Sequence, residues 1–145
     1  MKTIQNEVII IEDNDDHAEL IVRALKNKQP HLNISRLNDG EKAIDYLSSI
    51  ENNKSRYPRM ILLDLRLPKH DGIEVLSMIK NSKTLCIIPV IVFSSSDEHR
   101  DILNAYNNHA NSYLVKPMDF NKLQYSINEL SDYWLNLNIH LYNPL

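Results

Sequence analysis

A single cysteine, Cys86, stands among the 145 residues, so no disulfide can form within the chain. Beside Ile87 and Ile88 that thiol reads as a small core residue, with no redox role implied. Clustered positive charge is missing too: sixteen Lys and Arg are scattered against nineteen Asp and Glu, for a formal charge of −3. Nucleic acid is therefore not expected as the partner, because phosphate contacts need grouped cations. No apolar stretch approaches the roughly 18 residues of a membrane span, and no long apolar segment follows Lys2. The expectation is a cytoplasmic protein with no membrane contact. Repeats and low-complexity segments are absent as well, and residues 51–57 (ENNKSRY) form the one polar loop of note. The six histidines, His17, His31, His70, His99, His109 and His140, show no paired ligand spacing and read as surface residues. What the chain does have is 43% hydrophobic residues, enough for one domain over 1–145.

Three near-continuous apolar runs, Val8 to Ile11, Met60 to Leu63 and Ile87 to Phe93, have the pattern of parallel strands covered on both faces. Weaker runs around Leu32 to Leu37 and Ser112 to Val115 suit sheet edges. Between them lie helical patterns. Ala18, Ile21, Val22 and Leu25 follow one face, as do Ala43, Ile44 and Leu47 after Asp39 and Gly40. Asp71 is placed to cap a third helix carrying Val75, Leu76 and Ile79. A fourth follows Ser96 and Asp97 with Ile102, Leu103 and Tyr106, and Asp119 caps a fifth. Strand and helix alternate, which predicts right-handed crossovers and a doubly wound, five-stranded parallel α/β sheet.

The chemistry collects at the strand ends. The first run closes on Glu12 and Asp13, the second on Asp64, the third on Ser94, and Tyr113 to Val115 closes on Lys116. In an open parallel sheet those ends line one crevice. Carboxylates suit Mg²⁺, which prefers oxygen ligands, and an aspartate can attack phosphorus to give an acyl phosphate. Asp64 is the candidate nucleophile, with Lys116 a point charge and Ser94 a hydroxyl donor toward phosphoryl oxygens. The plainer reading makes strand-end acids helix caps, a task assigned here to Asp15 and Asp16.

The strings IIIEDNDDHAELI, ILLDLRLPKHDG, PVIVFSSSDE and SYLVKP together resemble the receiver domain of two-component response regulators, in the right order over residues 7–130. The chain is more narrowly similar to small single-domain regulators paired with bacterial phytochromes and other sensor histidine kinases. The resemblance implies the flavodoxin-like fold with strand order 2-1-3-4-5. It implies that Asp64 accepts a phosphoryl group from a kinase phosphohistidine. Mg²⁺ would be bound by Asp13, Asp64 and the backbone carbonyl of Arg66, with Glu12 helping through water. Ser94 would be the switch hydroxyl, Lys116 the phosphate-binding lysine and Tyr113 the aromatic switch. A cis Lys116–Pro117 bond and a signalling surface on the fourth helix, fifth strand and fifth helix also follow from it. Departures from the pattern are Glu12 for the commoner aspartate, Ser94 for threonine, and His109 near the place of a glycine, so that Asn108 or His109 takes the left-handed conformation. Arg66 and Ser96, two residues after Asp64 and Ser94, offer no group to orient water, which implies slow self-dephosphorylation.

The reading is thus a Mg²⁺-dependent signalling switch without an output domain, acting on an unknown downstream protein. A phosphorylation-independent binding module and a metal-dependent phosphatase are the alternatives. The phosphatase reading is weakened because Arg66 stands where a second acid is commonly found. At the C-terminal end Phe120, Leu123, Ile127, Leu130, Trp134, Leu137 and Leu141 recur at spacings of three and four. This predicts a core over about 7–130 and a helical extension over 131–145. On it Trp134, Leu137 and Leu141 form an apolar patch suited to a homodimer. The competing arrangement folds Trp134 back over its own monomer.

Overall fold

The computed structural model describes residues 7–141. Its elements are β1 (Val8–Ile11), α1 (Asp15–Lys28), β2 (Ile34–Leu37), α2 (Gly40–Ile50), β3 (Met60–Leu63), α3 (Gly72–Asn81), β4 (Val90–Ser94), α4 (His99–Asn107), β5 (Ser112–Val115) and α5 (Phe120–Ser131). All strand pairs are parallel, in the order β2-β1-β3-β4-β5. The two-residue period of a strand divides the apolar runs between the faces. Ile9, Ile11, Ile61, Leu63, Val90 and Val92 join Ala43 and Leu47 of α2 and Val75, Leu76 and Ile79 of α3. Val8, Ile10, Met60, Leu62, Ile91 and Phe93 join Ile21 and Leu25 of α1 and Leu123, Ile127 and Leu130 of α5. Both faces are covered, which is why these strands read as unbroken apolar runs.

Caps behave largely as the residue types predict. Asp39, Asp71 and Asp119 accept hydrogen bonds from the backbone N–H groups of Lys42, Glu74 and Lys122. At α1 the cap is Asn14, whose side chain accepts from His17 N at 3.0 Å. Asp15 and Asp16 lie instead in the first turn, where their charge complements the helix dipole. The run from Ile87 also divides differently. Leu85–Ile87 is a 3-10 turn and the strand begins at Val90, because Pro89 has no N–H to give the ladder. Leu85 and Ile88 still fill the core, whereas Cys86 is only half-buried. His109 takes the left-handed conformation, φ 67°. There is no cis peptide among the described residues, so Lys116–Pro117 is trans, the ordinary form, and Lys116 N continues the ladder to Ser94 O at 2.7 Å.

Two helical expectations are corrected. In α4 only Ala105 is buried; Leu103 and Tyr106 are about half exposed, because this short helix approaches the sheet through its small residue. The C-terminal stripe is re-phased by a π-helix over Asp132–Leu137, where Asn138 N donates to the Tyr133 carbonyl five residues back. The wider turn moves the next buried apolar position after Leu130 to Leu135, which is 1% exposed. Trp134 packs half-buried against the α1/α5 cluster, as in the fold-back arrangement, and does not belong to an exposed patch. Leu137 and Leu141 remain exposed, joined by Ile139. The helical extension therefore ends at Leu137, and residues 142–145 lie outside the described residues.

Candidate functional site

The parallel register sets the site. Ile11 pairs with Leu63, Leu63 with Val92, and Ser94 with Val115, so the residues that follow, Glu12, Asp64 and Lys116, emerge side by side with Ser94. Glu12, Asp13 and Asp64 each place a carboxylate oxygen within 4.8 Å of the others. An all-oxygen donor set of this size fits a hard divalent cation such as Mg²⁺. Asp13, Asp64, Arg66 and Ser94 line a cavity of about 210 Å³ together with Asn14, His17, Ser95 and Ser96.

One cation is built in. Lys116 Nζ bonds Glu12 Oε1, lies 3.1 Å from Asp64 Oδ2, and lies 3.2 Å from His17 Nδ1. Glu12 is 1% exposed, and burial, reinforced by hydrogen bonding to Asp64, pushes its carboxyl up to about 7 against the opposing pull of Lys116. Glu12 thus holds its proton more tightly than a free carboxylate does. A cation bound here would have to displace that proton, because a carboxylate ligates metal only when ionised.

The backbone around Asp64 is held by close contacts. A Cβ on Gly72 would lie 2.3 Å from the Asp64 carbonyl oxygen, so only glycine lets α3 begin here, and Gly72 N donates to Leu65 O at 2.8 Å. The following loop rests on α2: a Cβ on Gly40 would meet His70 O at 1.9 Å, and Lys69, with φ 70°, reaches Glu41 at 3.2 Å. The β1–α1 loop is held from the neighbouring edge strand, where Arg36 donates to the Glu12 carbonyl at 3.0 Å and to Asp15 at 2.7 Å.

Ser94 is buried, and its Oγ accepts from Ser96 N at 3.2 Å. Tyr113 is half-buried and donates from its hydroxyl to the Ser96 carbonyl at 2.8 Å. Ser96 in turn donates to Asp101 Oδ2 at 2.5 Å, and Arg66 Nη2 lies 3.8 Å from the same oxygen. Glu12, Asp13, Asp64, Ser94 and Lys116 therefore form one cluster, with the Arg66 N–H 3.5 Å from Asp64 Oδ1. Tyr113 stands beyond it, connected through Ser96.

The family model for the response regulator receiver domain matches residues 8–128. This chain belongs to that family. The receiver is 47% identical over 131 residues to the probable methanogenesis regulatory protein FilR2 of Methanothrix harundinacea strain 6Ac, across 90% of this chain and 84% of FilR2. Among solved structures, the phosphorylated cyanobacterial phytochrome response regulator RcpA matches with a TM-score of 0.86 at 36% identity, over 95% of this chain and 99% of RcpA. The Mn²⁺-bound form of response regulator Rcp1 matches with a TM-score of 0.81 at 34% identity, over 92% of this chain and 98% of Rcp1.

Three residues of the receiver's site escape a reading of strand ends. His17 sits in the first turn of α1, Arg36 on an edge strand, and Asp101 in the first turn of α4. His17 had a faint signal, lying four residues after Asp13 on the helix that leaves the site. Arg36 and Asp101 had none, since Arg36 reaches Glu12 from another strand and Asp101 meets Arg66 of another loop.

Proposed function

We propose that this receiver is a phosphorylation-dependent signalling switch, with Asp64 the acceptor of a phosphoryl group from a sensor histidine kinase. The observation that carries this reading is the grouping of three carboxylates within 4.8 Å beside the Lys116 ammonium. An Asp64 oxygen attacks phosphorus, the P–N bond of the donor phosphohistidine breaks, and the imidazole leaves with the electron pair. An acyl phosphate remains on Asp64. Lys116 exchanges its bond to Asp64 for one to a phosphoryl oxygen, and Ser94 turns its hydroxyl from Ser96 N toward another. Bound Mg²⁺, held by Glu12, Asp13, Asp64 and the Arg66 carbonyl, would supply neutralisation between carboxylate and phosphoryl group. Ser94 and Tyr113 both touch Ser96, so movement of either hydroxyl reaches the start of α4.

Likeness to RcpA, a phytochrome regulator, supports a phytochrome-like kinase as donor. Exposed Leu103, Tyr106, Val115 and Tyr125 on α4, β5 and α5 provide a surface for a downstream protein in the cytoplasm. Leu137, Ile139 and Leu141 provide the face for a homodimer. Sedimentation of the intact chain against a Leu137→Ala, Leu141→Ala variant tests the last point, and identical monomers in both refute it.

Acetyl phosphate with Mg²⁺, followed by intact-mass spectrometry, tests the central reading. The wild type should gain one phosphoryl adduct, and Asp64→Asn none. An adduct of equal yield on the variant refutes the assignment.

A further inference from the structure

Asp101 is half-buried, with 24% of its side chain exposed, and a single oxygen of it faces both residues that stand two places after a site group. Ser96, from the β4–α4 loop, donates to Oδ2 at 2.5 Å, and the Arg66 guanidinium, from the β3–α3 loop, lies 3.8 Å away. These contacts differ in strength. The Ser96 bond is short and partly shielded, whereas Arg66 is 78% exposed, and such a pair is weak. Arg66 also lines the cavity over Asp64, and together with Asp13 it lines a second cavity of about 590 Å³ that contains Asp101 and Arg100. One arginine therefore borders two sites: a carboxylate on α4 and the place where phosphoryl oxygens would develop.

We propose that Asp101 is a positioning residue that holds Arg66 while Asp64 is unmodified and yields it to the phosphoryl group, so that α4 senses the charge on Asp64. This rests on Asp64 being the phosphoacceptor. A phosphoryl group offers a guanidinium more charge and a bidentate geometry, which one oxygen at 3.8 Å does not. Once Arg66 has left, Asp101 is an uncompensated carboxylate beside a newly anionic site. It remains tied to Ser96, and α4 buries only Ala105, so the helix gives way at small cost.

Titration of the full chain with beryllofluoride and Mg²⁺, followed by calorimetry, reads this exchange as a double-mutant cycle. Asp101→Asn keeps an acceptor for Ser96 and removes the charge. It should tighten beryllofluoride binding about threefold where Arg66 is present and leave it unchanged in an Arg66→Ala background. An unchanged affinity in the first case, or the same shift in the second, overturns the proposal. Amide exchange on Arg66→Ala alone is the second measurement. The amides of α4 should exchange faster than in the wild type before any beryllofluoride is added, and equal rates also overturn it. Asp64→Asn separates the two readings: if it binds beryllofluoride as the wild type does, the phosphoacceptor assignment has failed, and not the role of Asp101.

Discussion

Lys116 Nζ lies 3.1 Å from Asp64 and also bonds Glu12, so one ammonium serves two acids that are 11% and 1% exposed. A divalent cation must share or displace it. Lys116→Met should therefore raise Mg²⁺ affinity about tenfold, equivalent to roughly 1.4 kcal/mol. The same variant should lose about 1 to 3 kcal/mol of stability at pH 8 without metal, because buried acids are left unpaired. Calorimetry and urea unfolding read the two effects. Unchanged Mg²⁺ affinity would show that Lys116 and the cation do not compete.

Glu12 sets a pH dependence of unusual sign for a carboxylate. Its group is raised from 4.5 to about 7, chiefly by burial, so the folded chain binds its proton more tightly than the unfolded chain. That stabilisation is complete below about 4.5 and is lost as pH rises through 7. Without metal, the contribution of Glu12 to the thermal midpoint should fall between pH 5 and pH 8. Mg²⁺ should reverse the slope, and its affinity should rise with pH through 7 as the proton is displaced. Glu12→Gln should flatten both profiles; profiles that keep their slope in that variant place the titration elsewhere.

The π-helix makes neighbouring leucines unequal. Leu135 is 1% exposed and Leu137 is 72% exposed. Leu135→Ala should cost about 2 to 4 kcal/mol, and Leu137→Ala less than about 0.5. Urea unfolding of monomeric protein at low concentration decides it. The opposite order would restore the unbroken spacing of three and four.

Sequence patterns carried the sheet and the acids, because a strand covered on both faces must be apolar throughout and its chemistry can begin only where it ends. Glu12, Asp64 and Lys116 were legible for that reason. The π-turn was not: Trp134 and Leu137 fit an α-helical stripe as well as Leu135 fits the wider one, and packing against α1 decides between them. There Lys28 pairs with Asp132 at 3.0 Å and Gln29 donates to Asn136 at 3.3 Å. Asp101 was invisible for a similar reason, since a polar residue in the first turn of a helix looks like a dipole partner until Ser96 and Arg66 are seen beside it.

His109, with φ 67°, is a side-chain-bearing residue in a conformation that favours glycine. Its N–H closes α4 on Tyr106 O at 2.9 Å, a bond that any residue can make. His109→Gly should stabilise the chain by about 0.5 to 1 kcal/mol. Thermal unfolding with matched buffers tests this, and a lowered midpoint would contradict it.

Glu12 and Lys116 are 104 residues apart in the chain, and their bond has a consequence for synthesis. While α4 is still being translated, all three acids have been made and their ammonium has not. The growing chain then carries the acids that follow β1 and β3 without the lysine that pairs with them. The bond between Lys116 and the acids can form only after four of the five strands have been made, which makes the closing of this site a late event in the life of the chain.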